Sequence, residues 1–373
     1  MTTEEIVIRN GTIVTASGVF ERDIWVQDGV IRRIAKDRLG ASRICKSEGK
    51  EWDASGMYIV PGFLTLPGKS PSPQRKLPDY LETVRKLVRF GYTSMSEIQP
   101  IDPWKNAAQR RYQTVIHYNS LIDYTFVAEV PASMMNKRIT LQLCAEGYRI
   151  IRVVIRKLED FTRIDWETIS PFLTSYRVLL ILHVPANAGF SKEEKQRISG
   201  LWLDRCRYWQ IRTWVKTESE LAAEETQSFY HLYQLDGLSC DLALRSMIHT
   251  PLRGLSVMAA LDRVQVDARR LRGREEEVLR ALVKLCSTNM AKALGLYPQK
   301  GSITPGADAD LVFIKKEQWL TKFDLSTILK FSEFLLPTSV MSNGKWILQD
   351  DTFASTIGMG RWLRDIKPYR FVI

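Results

Sequence analysis

Histidine is the scarcest chemical resource of this chain: four in 373 residues. His117, His183, His231 and His249 lie too far apart for local chelation, so no His-X-His pair exists to seed a metal centre. The five cysteines (Cys45, Cys144, Cys206, Cys240, Cys286) are odd in number and widely spaced, and never form C-x-x-C. That pattern argues against both a disulfide framework and a cysteine zinc site, and reduced, mostly buried thiols are expected. The longest apolar run, Val178-Leu-Leu-Ile-Leu182, falls far short of the roughly 20 residues that a spanning helix needs. The opening Met-Thr-Thr-Glu-Glu lacks the basic and apolar regions of a signal peptide, so a cytoplasmic location without membrane contact is expected. A Walker A loop, a G-x-S-x-G elbow and a G-x-G-x-x-G turn after a strand are also missing.

What is present is ordinary for a folded protein: 45% hydrophobic and 25% charged residues. The length suits two or three units of roughly 100–200 residues. The net charge of +11 raises polyanion binding as one reading. The densest basic stretch, Arg263 to Arg280, nevertheless mixes Arg269, Arg270, Arg272 and Arg274 with Glu275, Glu276 and Glu277. Without glycine–aromatic interleaving or zinc-finger spacing, it reads as a solvated helix face rather than a nucleic-acid surface.

Hydrophobic rhythm divides the chain. Ile6 to Arg9 and Thr12 to Thr15 flank Asn10-Gly11, and Asp23 to Gln27 and Val30 to Ile34 flank Asp28-Gly29; each pair predicts a hairpin, because both turn positions tolerate positive φ. Near the other end, Pro305-Gly306 fits a type II turn before a buried strand at Leu311 to Ile314, and Asn343-Gly344 predicts a third hairpin. Both ends therefore predict one β-sandwich, residues 1–61 plus 301–373. Between them, strands begin at Gly62, Gly91, Asp123, Ile150, Arg177 and Ile211, and alternate with amphipathic stretches such as Pro78 to Arg89. That alternation predicts an α/β fold with a (β/α) TIM-type barrel over 62–300. No clean seventh and eighth strands follow Leu235, so the barrel is expected to be shortened, ending in a helix over Glu275 to Leu294 capped by Gly295.

Several segments carry a family resemblance: Ile8-Arg-Asn-Gly-Thr-Ile-Val-Thr15, Asp53 to Gly62, His249-Thr-Pro-Leu-Arg253, Leu285 to Val312, and Gly358-Met-Gly-Arg-Trp-Leu-Arg364. In this order and spacing they resemble the cyclic-amide amidohydrolases: dihydroorotases, hydantoinases, dihydropyrimidinases and allantoinases. The resemblance covers nearly the whole chain, with 185–275 its weakest stretch. It implies a barrel with a composite sandwich, a homo-oligomer, and a centre in which two zinc ions activate water on a cyclic amide.

The ligand positions that the resemblance implies are largely rewritten. Pro61-Gly-Phe-Leu64 keeps the frame, but Thr65 stands at the Asp position and Pro67 and Lys69 stand where a His-X-His pair belongs. Arg152 stands at the bridging carboxylated lysine, and an arginine only donates. His183 alone matches a metal-binding position. Val215 and Lys216 stand near the next histidine, and Asp262 and Asp267 lack the context of the catalytic aspartate. A further set, Glu97, Glu129, Arg156 and Lys216, is expected at strand ends around the pocket rim. The implied function is that of a pseudoenzyme: a non-catalytic member, with no cofactor, working through a protein partner, an oligomer interface or a small cyclic-amide-like ligand. The alternative is an active cyclic amide or ureide hydrolase with a mononuclear zinc site built on His183.

Overall fold

The computed structural model describes residues 5–36, 50–65, 68–69, 76–102, 115–217, 276, 279–280, 283–321 and 337–364. Its centre is a parallel sheet of six main strands, β1 (Phe63–Leu64), β2 (Tyr92–Pro100), β3 (Asp123–Pro131), β4 (Ile150–Val154), β5 (Leu179–Val184) and β6 (Arg212–Thr217), lying side by side in chain order. A short piece, Gly68–Lys69, continues β1 along β2. Among the described residues, helices fill four of the five crossovers: α1 (Leu77–Arg89), α2 (Lys137–Glu146), α3 (Trp166–Ser175) and α4 (Lys192–Tyr208). This is one side of a (β/α) barrel. The expectations for 218–275, including His231, His249, Asp262, Asp267 and most of the basic stretch, lie outside the described residues, as does Pro67.

Alternation along the strands fixes two faces, since successive side chains point to opposite sides. Ile151, Val153, Leu180, Leu182 and Val184 pack on the outer face against Leu143, Ile169, Leu173, Ile198 and Trp202 of the helices. Burying each such side chain is worth about 1.5–3 kcal/mol. Ile98, Val127, Ile150, Leu179 and Ile181 alternate with them on the inner face.

The sandwich joins both ends of the chain, as expected. Met57–Pro61 pairs antiparallel with Leu311–Lys315, which pairs in turn with Ser339–Ser342. The Asp28-Gly29 hairpin forms with φ of 51° and 79°, and the Asn343-Gly344 hairpin with 50° and 73°. The Thr304–Ala307 turn closes by a 3.0 Å backbone bond with Gly306 at φ 91°, the geometry that Pro305-Gly306 predicts.

The first predicted hairpin does not form. Glu5–Arg9 lies in a four-stranded sheet and Thr12–Val14 in the seven-stranded one, so Asn10-Gly11 is where the chain crosses between layers. A Cβ on Gly11 would stand 2.3 Å from Ile59 Cδ1, so this glycine serves a close approach between layers. The helix before the sandwich ends at Gly295 (φ 76°) as predicted, but contains a π-turn at Lys284–Asn289.

Candidate functional site

The carboxyl ends of parallel barrel strands are where sites form in this architecture. On the inner face there, strand register sets Glu129 beside Arg152 and Arg152 beside Ile181; one step further it sets Val154 beside His183 and His183 beside Lys216. Glu129 Oε2 and Arg152 Nε are 3.3 Å apart, with the arginine side chain 5% exposed and the glutamate 24%. His183 is buried, and its backbone carbonyl accepts from Ile155 N. The Lys69 backbone is in register with Ile98 of β2. The structure thus pairs Glu129 with Arg152 and puts His183 one inward-facing position further along the same face, with Lys216 as its backbone register partner.

Two of the predicted rim residues do not join them. Glu97 pairs in register with Phe126, on the outer face, because it is one residue out of phase with Ile98. There it meets His117, whose Nε2 lies 2.6 Å from Glu97 Oε2 and whose Nδ1 lies 3.0 Å from the Tyr80 hydroxyl. His117 sits in a 3-10 turn, Val115–Asn119, under Tyr124 and Phe126. Burial pushes the Tyr80 phenol well above its usual range. Arg156 lies beyond the end of β4 and is exposed.

Among the described residues, no group of three or more His, Cys, Asp or Glu side chains is gathered to hold a metal ion. Cys144, Cys206 and Cys286 are buried free thiols, with burial pushing the first to about 11 and the other two to about 12. At neutral pH such thiols stay protonated and are poor nucleophiles. Cys45 and Cys240 lie outside the described residues.

Among the described residues, the most extensive ion-pair cluster lies at the opposite end of the sheet and escaped sequence reasoning. Lys300 Nζ, 1% exposed, lies 2.5 Å from Asp123, 2.6 Å from Asp310 and 2.9 Å from Asp308. Arg361 Nη2 pairs with Asp308 at 2.7 Å and Asp123 at 3.3 Å, and Arg361 N donates to Asp123 at 2.7 Å. Asp123 also accepts from Asn343 Nδ2 at 2.7 Å. Burial opposes the charge on Asp123, but Lys300 and Arg361 outweigh it and hold the carboxyl below its usual range. Burial dominates at Asp310 and raises it. At the amino end of β3 this cluster joins sheet, sandwich and C-terminal tail, a place where barrels keep structural rather than catalytic residues. Its signal in the sequence is Lys300 followed by Asp308-Ala-Asp310, within the 285–312 segment.

Sheet, crossover helices and a sandwich built from both termini define a barrel-and-sandwich α/β protein. The comparisons agree. The Amidohydrolase family model matches residues 217–347. D-phenylhydantoinase of Escherichia coli O1:K1 / APEC is 22% identical, over 98% of each chain. D-hydantoinase of Geobacillus stearothermophilus is 32% identical over 97 residues, 24% of this chain and 21% of that protein. The crystal structure of dihydropyrimidinase from Brevibacillus agri NCHU1002 superposes with a TM-score of 0.65 at 18% identity, covering 98% of this chain and 100% of that one. D-hydantoinase from Bacillus sp. AR9 gives 0.66 at 16% identity, covering 98% and 99%. Over nearly its whole length the chain is similar to hydantoinases and dihydropyrimidinases, and their fold is its fold.

Proposed function

We propose that this chain is a cyclic amidohydrolase that has exchanged its two-metal centre for fixed cations, and that it acts by binding rather than hydrolysis. The observation that carries this reading is the Glu129–Arg152 pair on the inner face, one inward-facing position before His183. A two-metal site needs neutral imidazoles and carboxylates around a bridging ligand. At the bridging position stands a guanidinium, which only donates, repels dications and lies within ion-pair distance of the Glu129 carboxylate. With Pro67 and Lys69 at the histidine pair, the residues do not fit the metals. Three protein ligands are the usual need of a catalytic zinc, and His183 supplies one.

The work left to such a protein is recognition, through its pocket, its surface or an interface with a partner or a second copy. The relatives carry hydantoinase and dihydropyrimidinase names, so cyclic amides and ureides are the compounds to assay. Purified protein supplied with Zn²⁺ or Mn²⁺ is expected to leave hydantoin, dihydrouracil, dihydroorotate and allantoin unhydrolysed. Turnover that disappears in His183→Ala would establish the mononuclear hydrolase instead.

A further inference from the structure

We infer that the outer face of α4 is a docking surface for α4 of a second copy of this chain, the two helices packing antiparallel about a two-fold axis between Gly200 and Leu201. Gly200 gives the first sign. It stands inside a 17-residue helix, where a glycine costs stability because it loses more backbone freedom on folding than any other residue. It neither caps nor ends the helix, which runs on to Tyr208. Among the described residues nothing lies within 4 Å of where its Cβ would be, so no packing there calls for the missing side chain. What the glycine does provide is room for another backbone to come close.

The residues around it form one stripe. Ile198, Ser199, Trp202 and Cys206 are the buried side of α4, so helical spacing directs Glu193, Arg197, Gly200, Leu201, Asp204 and Tyr208 to the opposite side. All six are exposed, Leu201 at 39% and Tyr208 at 73%. Large apolar side chains scattered singly need no explanation, but these two lie on the glycine's side of one helix. The polar members are self-complementary, as a two-fold interface requires. With the axis between Gly200 and Leu201, each Arg197 meets Asp204 of the second copy, each Glu193 meets its Tyr208 hydroxyl, and each Gly200 receives its Leu201. Within the chain Asp204 lies 3.5 Å from Arg207 with both side chains more than half exposed, a pairing weak enough to yield to a better one. A partner surface of a single charge sign would match Arg197 or Asp204 and be repelled by the other; a second copy matches both.

The test is sedimentation velocity of the full-length protein over a range of concentrations, with thermal melting of each variant alongside. Reversible, concentration-dependent association is expected, because one helix from each copy makes a small interface. Gly200→Gln should abolish it while keeping or raising the thermal midpoint, since glutamine is the better helix former; that opposite sign separates docking from folding. Arg197→Asp and Asp204→Arg should each weaken association about tenfold or more, and the double variant should recover it. Arg138→Asp, the same charge change on α2, should leave association unchanged. If Gly200→Gln fails to fold, the charge reversals carry the test. A monomer at every concentration, association indifferent to Gly200→Gln, or a double variant no tighter than either single would overturn the inference. A larger assembly supports it where these variants cut the assembly to a smaller one, and overturns it where they do not. The metal-free reading is untouched by any of these outcomes, since it stands on metal content.

Discussion

Lys300 Nζ lies 2.5 Å from the Asp123 carboxylate, so a buried ammonium fastens the first residue of β3 to the segment that leads into the sandwich. Removing one member of such a cluster strands the others without water. Lys300→Met should therefore destabilise the protein by about 3–5 kcal/mol, measured by urea denaturation at neutral pH. The carboxylates should differ. Asp310, raised by burial, should tolerate Asp310→Asn better than Asp123, which is held ionised, tolerates Asp123→Asn. Equal losses would contradict the assignment.

The same carboxylate predicts a pH dependence. Because the folded-state value of Asp123 is depressed, its contribution is present above the unfolded value of about 3.9 and is lost as pH falls through the lower folded value. The stability gap between wild type and Asp123→Asn should be constant near neutrality and shrink as the pH is taken below about 4. A gap that widens in acid would have the wrong sign.

The tail packs against this junction. Gly360 N donates to Ser120 O at 2.9 Å, Tyr124 N donates to Arg361 O at 2.9 Å, and Leu363 N donates to Tyr124 O at 2.8 Å. A Cβ on Gly360 would fall 1.9 Å from Ile122 O, a backbone atom that cannot swing aside. Gly360→Ala should therefore loosen the tail at a cost of about 1–3 kcal/mol, and hydrogen exchange at Tyr124 N should accelerate. Unchanged protection there would contradict this packing of the tail.

His117 tests the face assignment. His117→Ala leaves the Glu97 carboxylate and the Tyr80 hydroxyl facing a gap, which should cost about 2 kcal/mol or more. Unchanged stability would put Glu97 back on the rim.

Where sequence reasoning succeeded, the signal was local. Asp28-Gly29 and Asn343-Gly344 each put two positive-φ residues between alternating strands, and each makes its hairpin. Asn10-Gly11 carries the same signal and instead links two sheets, because the tertiary fit of Gly11 against Ile59 decides where the chain goes. Glu97 was misplaced by a single step of a period of two: Ile98 faces inward, so its neighbour cannot. The Lys300 cluster was illegible for another reason. Its members stand at 123, 300, 308, 310 and 361, and only the fold shows that they share one buried point.

Glu129 and Arg152 bear on the central claim through stability. Arg152→Met leaves a carboxylate without its cation and should lower the thermal midpoint; Glu129→Gln with Arg152→Met should recover part of the loss. An unchanged midpoint in the single variant would remove the pair from the account.

Metal stoichiometry tests that claim most directly. Protein purified with added Zn²⁺ or Mn²⁺, freed of loosely held ions and submitted to elemental analysis, should contain far less than one metal per chain, with His183→Ala indistinguishable from wild type. One or two tightly held ions per chain, lost in His183→Ala, would contradict it.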